Sequence, residues 1–152
     1  SQFKNHLAQK TYLALLVGEA KLPVGEEKII NLPIGRSLKD ARVRVASYKA
    51  HGKLREAETR FLVVEILPGF TLVEASPLSG RTHQLRAHFK AYQHPIACDE
   101  LYGTSNFCPP GLSRQALHAS KLSLILPNGE TFQALVPLPE DFKSALEHLR
   151  HS

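Results

Sequence analysis

The chain has 152 residues, of which 43% are hydrophobic and 22% charged. That is enough apolar content to bury one core and too much for a disordered chain. No apolar run approaches the roughly 18 residues that a membrane helix needs, and no signal-peptide pattern opens the chain. The net charge of +5 suits a polyanionic partner, since phosphate contacts dominate non-specific nucleic-acid affinity, but charge alone does not establish one. Two cysteines, Cys98 and Cys108, do not make a disulfide framework, so a reduced, cytoplasmic setting is the simpler inference.

In chain order, residues 1–9 read as the end of a helix, with Phe3 and Leu7 four apart. Residues 11–17 are an apolar run ending at Gly18, the pattern of a buried strand. Residues 21–35 are broken by Pro23, Gly25, Pro33 and Gly35, which predicts loop with one short strand over 28–32. Residues 42–49 alternate Val43 and Val45 with basic neighbours, as an edge strand does. Arg36, Lys39, Arg42, Arg44, Lys49, Lys53 and Arg55 crowd this stretch. It reads equally as a solvated, mobile hairpin or as a contact zone for an RNA backbone.

Residues 58–67 and 71–75, joined by Pro68-Gly69-Phe70, form a hairpin pattern. After a Pro/Ser/Gly break at 77–80, residues 82–92 carry Leu85, Phe89 and Tyr92 at i, i+4 and i+7, an amphipathic helix stopping before His94-Pro95. Residues 107–113, with Pro109, Pro110 and Gly111, are loop. Residues 121–126 alternate Leu122, Leu124 and Leu126, then Asn128-Gly129 supplies a hairpin turn and 131–136 return. Pro139 precedes a short helix with Phe142, Ala145, Leu146 and Leu149 on one face. The fold class is α+β, a mainly antiparallel mixed sheet with a few helices.

The most informative stretch is Gly80-Arg81-Thr82-His83-Gln84-Leu85-Arg86-Ala87-His88, at a strand-to-helix turn. Backbone N–H groups at a helix start attract anions, and Arg81 adds a cationic fork suited to phosphate or carboxylate. Taken alone, such a run is a solvated basic helix face. Its company changes the reading. Gly80 through Arg86, followed by His94-Pro95-Ile96 and Asp99-Glu100-Leu101-Tyr102-Gly103, resembles the C-terminal signature of the RluA-type RNA pseudouridine synthases. Lys10-Thr11-Tyr12-Leu13-Ala14-Leu15 is similar to that family's tyrosine strand. Leu117-His118-Ala119, Leu126-Pro127-Asn128-Gly129-Glu130 and Pro137-Leu138-Pro139-Glu140-Asp141-Phe142 resemble its closing segment.

The resemblance implies an isomerase that breaks the N1–C1′ bond of a uridine in RNA and rejoins the uracil through C5, with no metal and no organic cofactor. The base must leave its stack and enter a pocket. Tyr12 then corresponds to the residue that stacks on the base and is a candidate for proton transfer at C5. Arg81 corresponds to the arginine that holds the nucleophilic aspartate ionised, and Leu117 to an apolar wall of the pocket. Thr82, His83, Gln84, Arg86 and His88 are substrate-binding candidates, or groups that satisfy the local backbone. His83, His88, His94 and Cys98 fit no compact zinc spacing, and Asp99 sits in a turn motif.

The family's His-Arg-Leu-Asp segment, which carries its nucleophile, is not among these residues, whose aspartates are Asp40, Asp99 and Asp141. The expectation is that residues 1–152 are the C-terminal portion of a pseudouridine synthase catalytic domain, inactive alone. The RNA would be ribosomal or transfer RNA, with no membrane partner. Self-association is also expected, through a sheet edge or apolar face left by the absent segment. The alternatives are a non-catalytic RNA-binding module derived from that family and a basic protein for another anionic ligand.

Overall fold

Leu13 through Val17 are apolar without interruption. Successive strand residues point to opposite faces, so such a run needs cover on both sides. The computed structural model, which describes residues 8–103 and 107–152, provides it. The elements in order are β1 (Ala8–Val17), β2 (Glu27–Asn31), β3 (Ile34–Arg36), β4 (Arg44–Ala46), β5 (His51–Arg55), β6 (Glu58–Leu67) and β7 (Phe70–Pro77). Then come α1 (Gln84–Ala91), β8 (Leu117–Ile125), β9 (Thr131–Leu135) and α2 (Glu140–Arg150). Six strands form one sheet in the order β2-β6-β7-β1-β8-β9, and Ala14, Leu15 and Leu16 of the interior strand β1 are fully buried.

Every pairing in both sheets is antiparallel, so the expectation of a mixed sheet narrows to an antiparallel one among the described residues. The β6–β7 hairpin turns at Gly69 and brings Thr59 opposite Pro77. In the β1–β8 pair the register shifts between Thr11 and Tyr12: Thr11 faces Lys121 and Tyr12 faces Ala119, leaving Ser120 unmatched. The Ser120 hydroxyl donates to the Thr11 carbonyl at 3.0 Å. A bulge re-aims neighbouring side chains, and this one lies beside Tyr12.

The basic stretch is a second sheet, three strands in the order β4-β3-β5. The predicted edge strand over 42–49 shrinks to Arg44–Ala46, and β3 and β5 were not anticipated. All five residues of β5 are exposed, so it lacks the apolar alternation that marks a strand. Gly35 lets the strands cross closely: a Cβ there would lie 2.8 Å from both the Ala50 Cβ and the His51 carbonyl.

Three further expectations are corrected. Ala8 and Gln9 are strand rather than helix end, while residues 1–7 of that reading lie outside the described residues. The central helix starts at Gln84 because His83 takes left-handed backbone, φ 53 and ψ 30. Cys98 and Cys108, read as reduced thiols, are disulfide-bonded, with Cα atoms 4.7 Å apart. After Cys98 a turn is closed by the Gly103 N–H on the Asp99 carbonyl, and the proximity of the two cysteines is something that their number alone does not disclose.

The core joins both helices to the sheet. Leu85 and Phe89 of α1 and Phe142, Ala145, Leu146 and Leu149 of α2 belong to one buried cluster with β1, β6 and β7. Phe89 meets Phe61 edge to face, ring centroids 5.3 Å apart. Truncating this fully buried ring leaves a cavity as well as lost burial. Phe89→Ala should therefore lower the unfolding free energy by about 3–5 kcal/mol, measured by urea denaturation. A loss below about 1 kcal/mol would contradict the packing.

Candidate active site

A cleft of about 540 Å³ opens where β1, the segment after β7 and the start of β8 converge, a volume typical of ligand sites. Tyr12 and Lys10, alternate residues of β1, line it together with Arg81, Leu117 and Gln115. Arg81 is half-buried, and its Nε donates to the Glu56 carbonyl at 2.8 Å. That is a backbone partner where the motif suggested a carboxylate, and among the described residues no carboxylate pairs with Arg81. Leu117 and Leu85 supply apolar wall.

The turn that carries Arg81 is held from behind by Gln84. Its amide Nε2 donates to the Glu58 carbonyl at 2.7 Å and to Thr59 Oγ1 at 3.1 Å. Its Oε1 accepts from Ser79 Oγ at 2.8 Å and from the Arg81 backbone N–H at 3.2 Å. Both donors and both acceptor positions are thus in use. His88, one helical turn on and fully buried, continues the network. A carbonyl can only accept, so His88 donates Nε2–H to Leu32 O at 2.9 Å. Its Nδ1 then accepts from the Thr59 hydroxyl at 2.7 Å. Burial lowers its pKa, opposed by the Leu32 carbonyl, and the ring is neutral.

On the helix's other side Arg86 and Asp99 form a two-pronged ion pair, with Nε–Oδ2 and Nη2–Oδ1 both 2.8 Å. Burial pushes the Asp99 carboxyl up, but the Arg86 fork and the N–H groups of Tyr102 and Leu101 outweigh it, and its pKa lies below the usual carboxylate range. The Arg86 guanidinium stacks over the Tyr102 ring, 4.7 Å from its centroid. The Tyr102 hydroxyl lies 2.8 Å from His83 Nδ1. Burial, then the Arg86 and Arg44 guanidinium groups, lower the His83 pKa.

Of the residues expected at the site, Tyr12, Arg81, His83, Gln84, Arg86 and Leu117 come together around the cleft. His88 does not line it and serves the network behind it. Gln84 lines it with its amide already committed, and Thr82 is exposed outside the lining. Lys10 and Gln115 were not singled out. Lys10 could have been found, because it is two residues from Tyr12 on a strand and so shares its face; Gln115, in a loop, gave no such signal. Among the described residues no group of three or more His, Cys, Asp or Glu is placed to hold a metal ion. None of the helices described is long and apolar enough to cross a membrane.

The chain matches a family profile described as RNA pseudouridylate synthase over residues 1–91. It is 38% identical to the ribosomal large subunit pseudouridine synthase C of Vibrio vulnificus, over the whole chain and 47% of that protein. To the Escherichia coli K12 protein of the same name it is 35% identical, over 99% of this chain and 48% of that one. It thus spans about half the length of the curated relatives it matches. The solved structure of human RNA pseudouridylate synthase domain containing 1 superposes with a TM-score of 0.77 at 26% identity, covering 99% of this chain and 69% of that one. The chain belongs to the RNA pseudouridine synthase family, and its antiparallel sheet with two helices is that family's fold.

The neutral His88 makes stability depend on pH. The unfolded imidazole takes a proton near pH 6.5, whereas the folded ring takes it only at lower pH. This contribution to stability is therefore fully present well above pH 6.5 and is lost as pH falls below it, with a slope tending to about 1.4 kcal/mol per pH unit for this group. His83, whose pKa is also lowered, adds a contribution of the same sign. Urea denaturation at pH values between 7.5 and 5 checks this; a flat profile would contradict the neutral, doubly bonded ring.

Proposed function

We propose that the cleft receives a uridine turned out of a structured RNA, and that the complete catalytic domain to which this chain belongs converts it to pseudouridine. The observation that carries this reading is the convergence of Tyr12, Arg81 and Leu117, from three separate parts of the chain, on one cleft. The Tyr12 ring stacks on the uracil, Leu117 covers another side, and Arg81 holds a catalytic carboxylate in its charged form. The N1–C1′ bond breaks, C5–C1′ forms, the C5 proton leaves and N1 gains one. The names of the relatives favour ribosomal RNA as substrate.

The carboxylate comes from outside this chain. Asp40 is paired with Arg42, Asp99 with Arg86 and Asp141 with Arg114, and none of them lines the cleft. The other groups in the cleft are cations without a free lone pair, or neutral, weak nucleophiles at neutral pH. Residues 1–152 alone should release no tritium from 5-tritiated uridine in ribosomal RNA. A longer protein that restores a His-Arg-Leu-Asp segment upstream should release it. In that protein Tyr12→Ala or Arg81→Ala should each cost about 10²-fold or more. Robust release by residues 1–152 alone would overturn this reading, and no release by the longer protein would favour a non-catalytic RNA-binding module.

The exposed cations of the small sheet and its β4–β5 connection, among them Arg36, Lys49, Lys53 and Arg55, suit the RNA backbone. The chain should bind a structured RNA weakly, with affinity falling at least about tenfold from about 0.05 to about 0.2 M salt, as read by filter binding. Binding indifferent to salt would remove the backbone role.

A further inference from the structure

The Tyr102 hydroxyl joins the buried ion pair to the cleft. It accepts the Arg44 backbone N–H at 2.8 Å and lies 2.8 Å from His83 Nδ1. Tyr102 is only 2% exposed, so its own hydroxyl hydrogen needs a protein acceptor. Were His83 to donate from Nδ1, the hydroxyl would accept twice and that hydrogen would be left unbonded. With Nδ1 accepting, every group is satisfied: Arg44 N–H to the Tyr102 oxygen, and Tyr102 O–H to His83 Nδ1. A neutral imidazole carries one proton, and here it sits on Nε2.

Nε2 has no hydrogen-bond partner among the described residues, yet it is not buried. The single buried side-chain nitrogen or oxygen without a partner among them is Gln115 Oε1. His83 is among the residues that line the cleft, which makes its accessible Nε2–H a candidate donor to a ligand there. Lys10 and Arg81 line the same cleft, Arg86 there is neutralised by Asp99, and among the described residues no carboxylate lines it. The lining is net positive, which favours an anion. His83 also holds left-handed backbone, a conformation that non-glycine residues keep where the surroundings enforce it.

We propose that Tyr102 is a positioning residue that fixes His83 as the Nε2–H tautomer, and that this N–H donates to a non-bridging phosphate oxygen of the nucleotide in the cleft. The phosphate part rests on the uridine reading above; the tautomer part stands without it. Long-range proton–nitrogen correlation NMR of the chain at pH 7.5 should show His83 protonated on Nε2, and Tyr102→Phe, which keeps the ring over Arg86, should give mixed tautomers. An Nδ1–H pattern in the unaltered chain overturns the tautomer. Calorimetric titration should show uridine 5′-monophosphate bound more tightly than uridine, with His83→Ala lowering that ratio about tenfold. An unchanged ratio overturns the phosphate contact alone, and inorganic phosphate binding as tightly as the nucleotide reduces the site to a bare anion site. Binding of neither uridine nor its monophosphate would overturn the cleft reading and the phosphate contact together, leaving the tautomer to be decided by the spectrum.

Discussion

A carboxylate with no solvent exposure, that of Asp99, anchors this end of the molecule. Removing a charge from water costs several kcal/mol, and only a partner of matching geometry offsets it. Arg86 is that partner, and the N–H groups of Leu101 and Tyr102 also donate to Oδ1, sharing it with Arg86 Nη2. Removing either member would strand a buried charge, at a cost of about 3–5 kcal/mol. The pair ties the loop after β1's neighbour Ile96 to α1, and through Tyr102 to β4 and His83. Arg86 is thus a wall of the cleft and half of the strut behind it.

The second strut is uncharged. Gln84, Thr59 and His88 form a directed chain of hydrogen bonds from the Arg81 turn to the Leu32 carbonyl. The two struts differ in what disturbs them. The ion pair depends on Asp99 staying ionised, whereas the neutral chain depends on His88 staying unprotonated. Together they place Arg81 and His83 on a turn whose backbone and side chains are held from both sides of α1, as a site requires if its groups are to be preorganised.

The strands with regular patterns were readable from the residues: the unbroken apolar run of β1, the β6–β7 hairpin about Pro68-Gly69, and the Asn128-Gly129 turn before β9. So was the amphipathic face of α2, because Phe142, Ala145, Leu146 and Leu149 are the residues that the structure buries. The cleft residues of β1, the Arg81 turn and β8 were legible through motifs, since their chemistry is carried by residue type. What escaped depends on tertiary context. β5 is exposed along its length and shows no alternation. His88 looks like a ligand group by type, and only its partners Thr59 and Leu32, distant in sequence, reveal a buried structural bridge. The bond between Cys98 and Cys108 likewise depends on how a loop folds back.

β1 precedes both of its neighbours in the sheet, β7 and β8, and is far from them in sequence. Until those later segments arrive, it is an apolar strand with both edges unpaired. Non-local pairing of this kind is slow and leaves aggregation-prone surface exposed meanwhile. The cleft shares that history, because Tyr12 meets Arg81 and Leu117 only when the sheet has closed on both sides of β1. No local unit of the chain contains the site. Completion of the cleft is therefore tied to completion of the sheet, and a defect anywhere in the pairing of β1 disturbs the cleft as much as the core.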